Sequence, residues 1–232
     1  MKNKFQAVDR SLLHTKKSMN INRWDNVPAI RILKRNEHHQ DLMVAPDAFS
    51  KEECEEIISD GSTNLWEEAK AYKIANDKED PYGESSKRRV SDVTWIDISK
   101  PKFNWIYDRI VGYVENTNNN VWRYDLPKPY LVQGLQLGKY KKDSHFDWHT
   151  DYSAGSASTR RITLVVQLTN PNEYEGGKFE IFNGNRKTEM DHMLNNQGNM
   201  LLFPSHIWHK VTPLTKGVRF SLTGWILGNT II

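Results

Sequence analysis

From Pro129 onward the chain is cut into pieces too short for ordinary helices. Runs rich in β-branched and aromatic residues fall at 130–140, 145–151, 161–169, 178–183, 199–203, 207–212 and 218–226. Gly155, Asn170-Pro171-Asn172, Gly176-Gly177, Asn183-Gly184-Asn185 and Pro213 divide them. Branched and aromatic side chains fit a pleated, half-buried surface, whereas Gly, Pro and Asn supply turns. Many short strands at this spacing predict a β-sandwich or barrel.

The first half reads differently. Val44 to Phe49 reads as a short strand. Ser50-Lys51-Glu52-Glu53 has capping-box spacing, in which the Ser hydroxyl and the Glu53 carboxylate satisfy each other's free backbone donors. Phe49 sits at the staple position, but its partner position holds Cys54, so that staple is weak. Ile57 and Ile58 extend a buried stripe to Gly61. Residues 73–88, with Pro81 and Gly83, read as a loop. Arg89 to Ile98 carries strand chemistry. A second helix follows at about 102–117, where Phe103, Ile106, Tyr107, Ile110, Val111 and Val114 mark one face, and the asparagines at 116 and 118–120 suit its end. Helices in the first half and strands in the second predict a mainly β fold with helical support (α+β), a two-layered β core backed by helices.

Charge separates the ends of the chain. Residues 1–40 hold nine Lys/Arg against three Asp/Glu, while all 232 residues sum to +3. Residues 1–42 therefore read as a basic, solvated arm; contact with nucleic acid or an acidic partner is the sharper alternative. Residues 43–232 read as a single domain, with helical support at 50–120. No apolar run approaches the roughly eighteen residues a membrane helix needs. The first forty residues lack an apolar stretch followed by small residues, so no secretory signal is expected. Cys54 is the only cysteine, which excludes an internal disulfide and a cysteine-rich metal site. A reducing, cytoplasmic setting away from membranes is expected.

Chemistry concentrates in His145-Phe146-Asp147-Trp148-His149-Thr150-Asp151 and in Phe203-Pro204-Ser205-His206-Ile207-Trp208-His209-Lys210-Val211. On a strand, His149 and Asp151 point the same way and can converge on one metal ion. A third ligand from the later segment would complete two imidazoles and one carboxylate, a set that leaves three positions open on octahedral Fe(II). Strand parity does not choose between His145/Asp147 and His149/Asp151, because 145, 147, 149 and 151 share it, and His206 competes with His209. Ten residues after His209 comes Arg219, in Gly217-Val218-Arg219-Phe220-Ser221, sharing a strand face with Ser221. A guanidinium there can make a paired contact with a carboxylate.

The ordered set His-Thr-Asp, then Phe-Pro-Ser-His-Ile-Trp-His-Lys-Val-Thr-Pro, then Gly-Val-Arg-Phe-Ser resembles the Fe(II)/2-oxoglutarate dioxygenases. It is most similar to their prolyl 4-hydroxylase-like (PKHD-type) branch. The resemblance covers roughly 89–228 and includes Tyr140, Tyr174-Glu175-Gly176-Gly177 and Ser221-Leu222-Thr223-Gly224-Trp225. It implies a double-stranded β-helix (jelly-roll) core at about 89–98 and 129–228, and the metal ligands His149, Asp151 and His209. It also implies Arg219, Tyr140, Thr163 and Ser221 around 2-oxoglutarate, with Gln167 where some relatives place a tyrosine. Arg89 and His145 would lie toward the substrate, and His206 on a loop at the barrel mouth. In that fold Ile162, Leu164, Val166 and Leu168 pack beneath the helices, while Thr163, Val165 and Gln167 face the barrel interior. Trp95, Trp105 and Trp225 read as core, and His14, His38, His39 and His192 as structural or solvent-facing.

The implied cofactor is Fe(II), with 2-oxoglutarate and O2 as co-substrates and ascorbate as an optional reductant. The implied reaction hydroxylates an unactivated C–H bond and releases succinate and CO2; no catalytic side chain beyond the metal centre is expected. A prolyl residue in a peptide or protein is the first substrate reading. A free amino acid, another small molecule or a nucleic-acid base are alternatives. The rivals from other classes are a non-catalytic jelly-roll binding protein and a cupin-type metal protein. The sequence is silent on oligomeric state.

Overall fold

Two amphipathic helices lie on one face of a large sheet, and local chemistry sets where each begins. The structure is a computed structural model that describes residues 42–69, 88–153, 155–182, 187–189, 194 and 196–229. The basic leader to residue 41, the loop at 70–87, the turn at 183–185 and His14, His38, His39 and His192 lie outside them. The described residues belong to one compact unit, Gln40–Ile232.

Helix α1, Lys51–Gly61, opens on the expected capping box: the Ser50 hydroxyl accepts the Glu53 N–H at 3.2 Å, and the Glu53 carboxylate accepts the Ser50 N–H at 2.8 Å. Arg109 of the second helix pairs with the same carboxylate, tying the helices together. Helix α2, Asn104–Thr117, buries Ile106, Tyr107, Ile110 and Val114 at three- and four-residue spacing. The asparagine-rich stretch does not stop α2 at once. The chain runs on through a π-helical turn, Asn118–Trp122, and leaves it at Arg123 with φ +57°. Asn118 makes the stop: its amide oxygen accepts the Tyr124 N–H at 2.8 Å and its NH2 donates to the Tyr124 carbonyl at 2.9 Å.

In chain order the strands are β1 (Met43–Ala45), β2 (Glu67–Glu68), β3 (Arg89–Val90), β4 (Asp92–Ile96), β5 (Leu131–Tyr140), β6 (His145–His149) and β7 (Arg160–Gln167). They continue as β8 (Glu175–Gly176), β9 (Phe179–Phe182), β10 (Lys187–Glu189), β11 (Met200–Pro204), β12 (Trp208–Val211), β13 (Leu214–Lys216) and β14 (Arg219–Leu227). The strand expected at Val44–Phe49 is cut to Met43–Ala45, because Asp47 turns the chain at φ +49°. The major sheet runs β1-β11-β7-β14-β5-β4-β2 and the minor sheet β10-β9-β12-β6-β3, with β8 and β13 paired apart. From β5 to β14 the longer strands alternate between the two sheets, which winds the chain as a double-stranded β-helix. The segments 145–151 and 207–212, distant in sequence, thereby become neighbours.

Each layer has its own core. Ile162, Leu164, Val166 and Leu168 pack against helix residues such as Ile106, Ile110 and Val114, as the alternation predicts. Val165, Leu201 and Phe203 point the other way and meet Phe179, Ile181 and Val211 between the sheets. Full burial of each such side chain contributes roughly 1.5–3 kcal/mol, so both faces of the central strands are strongly specified. Trp225 is buried as expected, but Trp95 is 41% exposed. Trp95 pairs with Gln136 on β5 and so faces the barrel side near the sheet edge, where its ring lies 6.2 Å from that of Trp225.

Gly198 joins the start of α1 to the end of β7: its N–H donates to the Gln167 carbonyl at 2.7 Å and its carbonyl accepts the Phe49 N–H at 3.1 Å. Its φ is +87°, and a Cβ there would collide with the Phe49 carbonyl. Gly198→Ala is expected to cost about 2–4 kcal/mol by combined backbone strain and clash, read as a lower urea midpoint at unchanged m-value.

Candidate metal centre

Strands β6 and β12 pair antiparallel, with His149 opposite His209. Farther along the pair, Val211 stands opposite Phe146 rather than Asp147, so one extra residue bulges from β6. The bulge breaks side-chain alternation. Phe146 and His149 stack with ring centroids 3.4 Å apart and 11° between planes, while Asp147 is exposed and its carboxylate caps the Trp148 N–H at 2.7 Å. The expectation that 145, 147, 149 and 151 share one face is therefore corrected. It also removes the rival ligand pair, since Asp147 turns away and His145 Nδ1 contacts the Asp143 carbonyl at 3.0 Å.

Both remaining histidines are held alike. His149 Nδ1 meets the Asp147 carbonyl at 2.7 Å, and His209 Nδ1 meets the Ile207 carbonyl at 2.9 Å. A carbonyl can only accept, so each Nδ1 carries the proton and each Nε2 keeps its lone pair for a metal. His149 Nε2 lies 3.8 Å from Asp151 Oδ1, and His209 Nε2 lies 3.5 Å from Asp151 Oδ2. Among the described residues these three form the one His/Cys/Asp/Glu group able to hold a metal, with ligand atoms within 4.8 Å of one another. His206 stands exposed in the turn before β12.

Asp151 is braced from behind. Its Oδ2 accepts the Thr163 hydroxyl at 2.8 Å, that hydroxyl contacts Ser205 Oγ at 3.0 Å, and the Ser205 carbonyl accepts the Asp151 N–H at 2.9 Å. Burial works against the charged carboxylate, but His209, His149 and the Thr163 hydroxyl outweigh it and hold Asp151 below the ordinary range. Burial, followed by the proximity of His209, keeps the His149 pKa well below that of a free imidazole. A buried carboxylate beside two imidazoles suits a divalent cation, and two His with one carboxylate and open positions suit non-haem Fe(II).

Arg219 is 2% exposed and meets no carboxylate side chain among the described residues. Its Nε donates to Gln167 Oε1 at 3.1 Å, its guanidinium carbon lies 5.6 Å from the Tyr140 ring, and Gln167 Nε2 donates to the Thr169 carbonyl at 2.7 Å. A cavity of about 230 Å3 opens on Arg219, lined also by Gln167, Tyr174, Lys178, Phe179 and Leu194. Phe179 joins this cavity to the metal site, its ring 5.5 Å from that of His209. Arg219, Tyr140 and Gln167 are thus brought together, and Ser221 is buried opposite Gly138 and Gln167. Thr163 is brought to Asp151 instead.

Residues 135–227 match the family model of the 2OG-Fe(II) oxygenase superfamily. The matched stretch contains the three candidate ligands and Arg219. A PKHD-type hydroxylase from Idiomarina loihiensis is 26% identical over 115 residues, 49% of this chain and 50% of that relative. The chain therefore spans about half the length of that relative. A prolyl hydroxylase from Trichoplax adhaerens, solved with a hypoxia inducible factor peptide fragment, superposes with a TM-score of 0.62 at 14% identity, covering 81% of this chain and 84% of its own. A Pseudomonas putida prolyl-4-hydroxylase gives 0.60 at 14%, covering 82% and 93%. These likenesses bear out the resemblance to the prolyl 4-hydroxylase-like branch of the 2OG-Fe(II) oxygenases and the jelly-roll fold. The family implies Fe(II), 2-oxoglutarate and O2. No helix among the described residues is long and apolar enough to cross a membrane.

Sequence reasoning placed Arg89 toward the substrate through the resemblance, but missed Ser205, the Gln167 link to Arg219, and Arg160 with the two β5 glutamines. Arg160 donates through Nε to Gln133 at 2.8 Å, and Arg89 donates through Nη2 to Gln136 at 2.8 Å. Among the missed contacts, only that of Gln167 was hinted at, by the strand alternation of β7 that turns it inward.

Two outcomes follow for the purified protein. Mn(II) at about a hundred times its Kd is expected to stabilise the wild type by ~2.7 kcal/mol, and Asp151→Ala to abolish this shift in thermal melts. In the metal-free protein, the folded His149 stays neutral where an unfolded imidazole takes a proton below about pH 6.5. Stability should thus fall as pH drops below that value, toward the depressed folded pKa. Melts of His149→Gln across this window should show a shallower slope.

Proposed function

We propose that the protein is an Fe(II)- and 2-oxoglutarate-dependent hydroxylase acting on a prolyl residue in a peptide or protein. The observation that carries this reading is the pairing of one metal-competent triad with one buried guanidinium across a shared cavity wall. Fe(II) held by His149, Asp151 and His209 would supply oxidative decarboxylation of 2-oxoglutarate to succinate and CO2, coupled to hydroxylation of an unactivated C–H bond.

The protein's own side chains orient and shield. Arg219 binds the far carboxylate of 2-oxoglutarate in paired fashion. Gln167 occupies the Arg219 Nε and leaves the terminal nitrogens for the ligand. Thr163 and Ser205 keep Asp151 aimed, and the carbonyls of Asp147 and Ile207 hold Nδ1 of each imidazole so that Nε2 is the nitrogen presented to the metal. Phe146 stacks on His149, while Phe179 lies tilted and Phe203 edge-on against His209, an apolar surround that strengthens charge interactions inside. The prolyl substrate is supported by the relatives' branch and by the peptide complex of the Trichoplax adhaerens protein. Ascorbate would serve as an external reductant.

The test is iron-dependent succinate formation from 2-oxoglutarate, assayed with ascorbate and a library of prolyl peptides. Iron-dependent succinate together with a hydroxylated product supports the reading; a folded, iron-loaded protein that forms neither overturns it. Gln167→Glu sets a carboxylate against Arg219 in place of 2-oxoglutarate. It is expected to raise the KM for 2-oxoglutarate by about ten-fold or more, on the order of 1.4 kcal/mol, while Mn(II) affinity stays at the wild-type value.

A further inference from the structure

Two arginines flank the metal triad on the side away from Arg219, and they are built alike. Arg160 leaves β7 and Arg89 leaves β3. Each guanidinium lies over an aromatic ring: Arg160 over Trp225 at 3.9 Å and Arg89 over Phe146 at 4.6 Å. Each is steered by the amide oxygen of a β5 glutamine, Gln133 for Arg160 and Gln136 for Arg89, both at 2.8 Å. A register shift in the β5–β14 pairing makes this possible: Gln136 stands opposite Thr223 but Gln133 opposite Trp225, so β5 carries an extra residue and both glutamines turn to the barrel side.

Both sites border the metal ligands. Arg160 Nη1 lies 3.4 Å from the Asp151 carbonyl, and the Phe146 ring beneath Arg89 stacks on His149. Arg89 and Arg160 are near enough to repel, which, after burial, is part of what lowers the Arg160 pKa. Among the described residues neither guanidinium makes an ion pair with a carboxylate side chain. The Asp151 carboxylate partly offsets Arg160, but a metal would claim that charge. Two like charges, oriented by neutral amides and stacked on rings, favour an incoming anion that bridges them. Trp95, exposed beside Trp225, adds an apolar wall to the same mouth.

We infer that Arg89 and Arg160 form a carboxylate clamp for the substrate, so that the molecule hydroxylated here carries a carboxylate near the reacting carbon. This rests on the hydroxylase reading and narrows its substrate class: an acidic side chain or free carboxyl terminus in a peptide, or a free acid.

The test uses the full chain loaded with Mn(II) and saturated with 2-oxoglutarate, and reads 19F NMR of 4-fluorobenzoate and of 4-fluorobenzamide. Line broadening of the benzoate and not of the benzamide is expected, with about ten-fold weaker benzoate binding in Arg89→Gln and in Arg160→Lys. Mn(II) and 2-oxoglutarate affinities of the variants, measured by calorimetry, should match the wild type, which separates loss of the clamp from misfolding. Equal binding of benzoate and benzamide, no benzoate binding, or unchanged benzoate binding in Arg89→Gln overturns the clamp. Failure of Mn(II) or 2-oxoglutarate to bind the wild type instead overturns the hydroxylase reading; the 19F shift of the benzoate on the metal-free protein then still reads the clamp. Competition separates the sources of the carboxylate. Displacement of the benzoate by N-acetylproline points to a free carboxyl group and displacement by N-acetyl-Asp-Pro-amide to an acidic side chain. Equally strong displacement by prolinamide overturns the proposal.

Discussion

The cross-strand pair of His149 and His209 is the contact on which the rest of the site depends. Sixty residues separate the two in sequence, yet antiparallel pairing of β6 and β12 sets them opposite each other with ring centroids 4.1 Å apart. Directly opposed residues in such a pair have the closest side chains a sheet offers. Asp151 then needs only to follow His149 past the strand end and be caught by Ser205 and Thr163. Metal competence is thus a property of strand register, and a slip of one residue would turn one imidazole to the other face.

Irregularities in that register matter as much as the register itself. The extra residue in β6 turns Phe146 inward under His149 and releases Asp147 to solvent. The extra residue in β5 turns Gln133 and Gln136 together toward the mouth. Each bulge departs from strict alternation beside the metal ligands, at a position where a regular strand would have presented the wrong side chain. The regular parts of β7 and β14 carry the opposite task. Their unbroken alternation packs Leu164, Val166 and Leu222 beneath the helices and leaves Thr163, Gln167 and Arg219 inside the barrel.

Polar satisfaction links these parts into one unit. Gln167 binds Arg219 with its amide oxygen and the Thr169 carbonyl with its NH2, while its backbone carbonyl accepts from Gly198, whose own carbonyl holds Phe49 at the start of α1. A buried guanidinium is costly unless its geometry is over-determined. Here the helix layer, the β7 end and the cavity wall all contribute to its placement.

Much of this was open to a reader of the sequence alone. Local chemistry decided the capping box at Ser50, the two helix stripes, the two faces of 161–169, and the ordered appearance of His149, Asp151, His209 and Arg219. Each rests on spacing within one element or on residue types in a fixed order. Parity within 145–151 misled, because a bulge depends on the partner strand and leaves no mark in the bulged segment itself. The exposure of Trp95, the commitment of Thr163 to Asp151, and the pairing of Arg89 and Arg160 with two glutamines were equally out of reach. Those features depend on which strands become neighbours and in what register, a choice made by the packing of whole layers, and only the tertiary structure decides it.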